Sequence, residues 1–186
     1  MKLILIRHGQ TEYNAQKIHQ PFDSDLSELG REQAKNLCSF FDTYTFDTLF
    51  VSEMKRTSQT ASQFTTMKPI VDGRLNEIFS GDFVGTPYGT VRKEGEKVGK
   101  DFYSYQPPNG TSPKMVYEAV SDWYEEIKKT YAQKTVVAVT HKGVIKLLLA
   151  HVKRDNPADE LDIPIRNCSL TIIEDDAVIK VNFVVK

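Results

Sequence analysis

Cysteine is scarce in this chain of 186 residues: only Cys38 and Cys168 occur, in apolar or turn-like surroundings. That excludes a disulfide framework and makes a reducing cytoplasm the expected compartment. Net charge is nearly absent too, at −1. No global field recruits nucleic acid or an anionic membrane, so any anion must be recognised locally. Long apolar runs are missing. The opening LILI (residues 3–6) is too short for a signal-peptide core, and no stretch is long enough to span a bilayer. Also missing are an HExxH motif, paired cysteines and an acidic cluster, so neither a metal nor another cofactor is expected. Repeats, low-complexity tracts and linkers are not evident.

What remains is ordinary soluble-domain material, 40% hydrophobic and 26% charged, and a length that suits one domain over 1–186. Lys2–Ile6 is a continuous apolar run that predicts a strand covered on both faces. Ser27 predicts a cap for a helix over 28–41 with Ala34, Leu37, Cys38 and Phe41 on one face. Asp47–Val51 reads as a second strand, followed by a helix that Ser52 would cap and that carries Met54, Ala61 and Phe64. Pro69–Val71 reads as a third strand, and the segment 80–111, rich in Gly, Pro and Tyr, as an irregular lid-like excursion. Ser112-Pro113 opens a long helix through Val116, Val120, Trp123, Tyr124, Ile127 and Tyr131. Thr135–Val139 predicts another strand, with a helix over 143–151 after it. Leu170–Ile173 and Val178–Val185 predict a hairpin turning around Glu174-Asp175-Asp176. The pattern implies a three-layer α/β/α fold whose mixed central sheet is mostly parallel with an antiparallel edge.

Ligands of such sheets bind beyond the carboxyl ends of the strands. The first strand ends in Arg7-His8-Gly9, the second leads through VSEMKR to Arg56, and the VVAV strand ends in Thr140-His141-Lys142-Gly143. A lone strand-end His or a helical Arg is an ordinary residue. Two histidines and two arginines delivered to one sheet edge, beside two helix N-termini, are the makings of a phosphate site.

The same residues carry a resemblance. RHGQTEYN resembles the RHG-[EQ]-T-x-x-N signature of the histidine phosphatase superfamily, the phosphoglycerate-mutase-like enzymes. DSDLSELGREQA, VSEMKRTSQTA, LNEIFSGDFVG, VAVTHKGVIKLLL and IRNCSLTIIE resemble further segments of that family, in order, from residue 2 to about 173. The resemblance implies a metal-independent phosphomonoester hydrolase. His8 would be the nucleophile forming a phosphohistidine, Arg7, Arg56 and His141 would grip the phosphoryl oxygens, and Glu77 would be general acid and then base. A protonated His141 would serve best. Asn14, Gln20 and Lys142 would complete the phosphate and substrate contacts, while Glu12, Glu53 and Asp82 are weaker acid candidates. Gly9 would allow a close backbone approach or a positive φ.

The chain departs from the family pattern in three places. Lys142 stands where a small glycine is common and is expected to attract a second acidic group of the substrate. Pro21 replaces a frequent glycine, and Thr111-Ser112 replaces the usual Glu-Ser. The expected substrate is a small phosphorylated metabolite of the sugar-phosphate, phosphoglycerate or ribazole-phosphate type, with no nucleic-acid or membrane partner. A phosphoglycerate-type mutase and an inactive relative that binds phosphorylated ligands or proteins are the alternatives.

Overall fold

The computed structural model describes residues 1–185. Six strands form one sheet: β1 (Lys2–Arg7), β2 (Thr48–Val51), β3 (Ile70–Val71), β4 (Thr135–Thr140), β5 (Ser169–Glu174) and β6 (Ala177–Val184), in the order β3-β2-β4-β1-β5-β6. β1 lies parallel to β4 (Ile6 opposite Val139) and antiparallel to β5 (Ile6 opposite Leu170). Strands β2 and β3 extend the parallel side, and the β5–β6 hairpin closes the other edge.

The unbroken apolar run of β1 follows from its central place, since alternate residues serve opposite faces. Leu3 and Leu5 join Phe50, Val136 and Ala138 against Trp123 and Ile127 of α6 (Pro113–Thr130) and Leu148 of α7 (Lys142–Lys153). Ile4 and Ile6 join Leu49, Val51, Val137 and Val139 against Ala34 of α2 (Glu28–Lys35), Leu37, and Ala61 of α4 (Lys55–Ala61). Helices therefore cover both faces, as the alternation of strands and helices requires. Ser27 and Ser112 cap α2 and α6 by accepting from Gly30 N (3.1 Å) and Met115 N (3.3 Å). At the closing turn Asp175 and Asp176 both take left-handed φ, 48° and 62°, which suits the twist of a two-residue hairpin.

The structure departs from the sequence-based expectations in several local ways. The helix over 28–41 is two pieces, α2 and α3 (Cys38–Phe41), because Leu37 N closes an i→i+3 turn onto Ala34 O (3.2 Å). That tighter turn leaves Cys38 and Phe41 half-buried while Ala34 and Leu37 enter the core. Ser52 does not cap α4. Met54 holds that position, Ser52 receives the Met54 N–H (3.2 Å), and the helix ends before Phe64. The segment 80–111 is not wholly irregular, since it contains a 3₁₀ turn (Gly81–Phe83) and α5 (Thr90–Lys97). Two other short helices, α1 (Glu12–Gln16) and α8 (Pro157–Glu160), were not expected.

Candidate active site

The end of β1 fixes the central residue. His8 N still donates to Thr140 O across the sheet (2.9 Å), so the residue is held in strand register. The next peptide passes α2 at a distance only glycine tolerates: a Cβ on Gly9 would lie 2.4 Å from Gly30 O. Close approach is therefore Gly9's role, and its φ is not positive. Gly9 N donates to Thr60 Oγ1 of α4 (3.0 Å), and Asn167 Nδ2 donates to His8 O (2.9 Å). His8 itself is 1% exposed, with Nδ1 2.7 Å from Gly9 O. A carbonyl can only accept, so Nδ1 carries the proton and Nε2 keeps its lone pair.

The second imidazole stands at the N-cap of α7. His141 is fully buried, its ring centroid 5.1 Å from that of His8. Its Nε2 lies 2.8 Å from Ser52 Oγ, a hydroxyl also 3.1 Å from Thr57 Oγ1. Arg56, on the first turn of α4 and 1% exposed, donates to Phe22 O and Ser24 Oγ (both 3.1 Å). Arg7 donates to Ile165 O (2.7 Å). Arg7 Nε, Arg56 Nε and His141 Nδ1 are buried without a partner among the described residues. Buried donors are seldom left so, and three around one imidazole fit a tetrahedral anion.

Electrostatics agree with that fit. Burial, with Arg56 and Arg7 adding to it, holds His8 well below the usual imidazole range, so it is neutral at pH 7. Burial followed by Arg56, His8 and Arg7 does the same to His141. His141 is therefore neutral while the site holds no anion, and its charged form needs an anion beside it. Burial also lowers Arg7, and pulls Arg56 down to about 10.

Glu77 faces this group from the start of α7. Its Oε1 accepts from Gly143 N (3.1 Å) and from Ile78 N (3.0 Å). A Cβ on residue 143 would lie 2.3 Å from that oxygen, so the glycine makes room for the carboxylate. Thr140 Oγ1 donates to Leu75 O (2.8 Å), tying the Glu77 segment to β4.

A cavity of about 610 Å³ opens above, with Arg7, Asn14, Gln20, Arg56, Glu77 and Lys142 among its walls. Asn14 closes a capping box with Thr11 and donates through Nδ2 to Tyr88 OH (3.1 Å). Gln20 Oε1 accepts from Thr11 Oγ1 and Ser24 Oγ (both 2.9 Å), so it steadies the hydroxyl that holds Arg56. Lys142 is exposed at the mouth. The weaker acid candidates lie off these walls: Glu53 accepts from Asn76 (2.6 Å) and Asp82 from Asn109 (2.9 Å), while Glu12 sits on α1. Among the described residues no group of three or more His, Cys, Asp or Glu is placed to hold a metal.

Sequence reasoning missed Ser52, Asn167, Thr60 and Ser24. In the sequence Ser52 has the look of a helix cap, and Asn167 stands in IRNCSLT with nothing to mark its role. Thr60 and Ser24 likewise lie within VSEMKRTSQTA and DSDLSELGREQA, segments that carry the resemblance but give neither residue a role.

Comparisons with known proteins point the same way. The family model described as histidine phosphatase superfamily (branch 1) matches residues 3–178. Phosphoserine phosphatase 1 of Hydrogenobacter thermophilus is 34% identical over 152 residues, covering 76% of this chain and 71% of that one. Fructose-2,6-bisphosphatase TIGAR of Xenopus tropicalis is 33% identical over 132 residues, covering 66% of this chain and 48% of the frog protein. This chain thus spans about half the length of that relative and of its Xenopus laevis counterpart. The solved structure of Bacillus stearothermophilus YhfR superimposes with a TM-score of 0.85 at 28% identity, over 98% of this chain and 97% of that one. The chain belongs to the histidine phosphatase superfamily.

Proposed function

We propose that the protein is a phosphomonoesterase acting on small phosphorylated metabolites of the sugar-phosphate, phosphoglycerate or ribazole-phosphate type. The observation that carries this reading is the contact of His8 Nδ1 with Gly9 O, which assigns the ring proton to Nδ1. Its Nδ1 proton is spent on Gly9 O (2.7 Å), so Nε2 presents a lone pair among Arg7, Arg56 and His141. Nε2 attacks phosphorus, the bond from phosphorus to the alcohol oxygen breaks, and Glu77 delivers a proton to the departing oxygen. Glu77 then takes a proton from water, whose oxygen attacks the phosphohistidine. The P–N bond breaks, inorganic phosphate leaves, and His8 returns to its starting form.

The charge spread over the equatorial oxygens in both steps is met by Arg7, Arg56 and His141, the last becoming protonated as the dianion settles. Asn14 and Gln20 belong to the phosphate-binding wall, and Lys142 to the mouth. Segment 80–111, which contributes Tyr88, Phe102 and Tyr105 to the cavity, acts as a lid within a single domain over 1–186. The named activities of the Hydrogenobacter and Xenopus relatives support a small-metabolite substrate. Two free thiols, Cys38 and Cys168, favour the cytoplasm.

Incubation with p-nitrophenyl phosphate in EDTA tests the proposal. Steady turnover is expected, with an acid-labile phosphoryl adduct on the peptide that contains residue 8, and His8→Asn loses both together. No turnover, or turnover without the adduct, overturns it. Isomer exchange between phosphoglycerates would show mutase chemistry instead.

A further inference from the structure

The cavity wall carries more positive charge than one phosphoryl group requires. Arg7 and Arg56 already answer the two negative charges of a phosphomonoester. Arg92, Lys142 and Lys146 add three more cations, and among the described residues Glu77 is the only carboxylate on the wall.

Lys146 is the unusual member. It follows Lys142 by one turn of α7, and residues four apart share a helix face. It is 3% exposed, and its ammonium donates to the Leu161 carbonyl just after α8. Lysines are almost never this buried without an acidic partner. Asp162 and Glu77 act on it through space, but burial and then Lys142 outweigh them and bring its amine down to about 8. Arg92, by contrast, already leans on Phe102 (5.1 Å) and lies 3.8 Å from Asp162. Lys146 and Lys142 are thus the wall's surplus charge.

We propose that Lys146, with Lys142 beside it, forms a second anion subsite that holds a carboxylate or further phosphate on the organic half of the substrate. This rests on the phosphatase reading above and narrows it to phosphomonoesters that carry a second acid. A structural clamp on Leu161 would stabilise the fold but leave substrate preference untouched.

The test compares kcat/KM within two matched pairs. 3-Phosphoglycerate against glycerol 3-phosphate isolates a carboxylate, and glucose 1,6-bisphosphate against glucose 6-phosphate isolates a phosphate. The wild-type protein is expected to prefer the more acidic member of one pair by at least about tenfold, and that pair names the group. Lys146→Met should shrink this ratio about tenfold, mainly through KM, and Lys146→Arg should restore part of it. The exposed Lys142→Met should shrink it less, which keeps the test open should Lys146→Met fail to fold. Equal kcat/KM within both wild-type pairs, or a ratio that neither methionine variant changes, overturns the subsite. If p-nitrophenyl phosphate is hydrolysed in that case, the phosphatase reading survives; if it is not, both fall.

Discussion

Burial strips His8 and His141 of charge before any substrate arrives, and this has a consequence for stability. Both imidazoles titrate well below 6.5 in the folded protein, while the unfolded chain takes up those protons near 6.5. The unfolded state therefore binds more protons as pH falls below 6.5, and the folded state weakens. The contribution is intact above pH 6.5 and declines by roughly 1.4 kcal/mol per pH unit for each histidine. Urea unfolding at pH 7.0 and 5.5 should show the loss, and saturating inorganic phosphate should reduce it by favouring protonated His141. Equal stability at the two pH values would contradict the burial argument. The sequence disclosed these two residues and both arginines because each terminates or closely follows an apolar strand run. It concealed Ser52, since a serine after a strand looks like any helix cap. It concealed the role of Asn167, which meets His8 O across 159 residues of separation.

Among the described residues, sequence reading recovered the six strands and α2, α4, α6 and α7, the elements marked by an apolar run, a helical period or a capping signal. It missed α1, α5 and α8, which are short, largely polar and held by tertiary surroundings rather than by an apolar stripe. A single helix over 28–41 exceeds what forms because the apolar periodicity persists through the Leu37 turn while the helical geometry does not. At this scale the junction of Glu77 with α7 is the sensitive one. Gly143→Ala would push a methyl against Oε1 and displace Glu77, the proposed proton donor, so hydrolysis of an alkyl phosphate should fall about 10²-fold or more. p-Nitrophenyl phosphate, whose leaving group needs little help from a proton, should suffer clearly less. Parallel losses on both substrates would show that Glu77 does not protonate the leaving group.

For the molecule as a whole, one sheet separates two apolar cores, and the long wall of α6 supplies the largest buried side chain. Trp123 is wholly buried and meets Phe50 edge-to-face at 5.5 Å. Trp123→Ala should destabilise by about 3–5 kcal/mol in denaturant unfolding, with turnover per folded molecule preserved. A loss below about 1 kcal/mol would mean that this core closes over the gap. Strand order has a further consequence for biosynthesis. β1 leaves the ribosome ahead of both its neighbours, yet it is hydrogen-bonded between β4 and β5. The strand that ends at His8 must wait, unpaired, until β4 and β5 supply its two edges, so a nascent chain cannot assemble this site before Glu174 has been made.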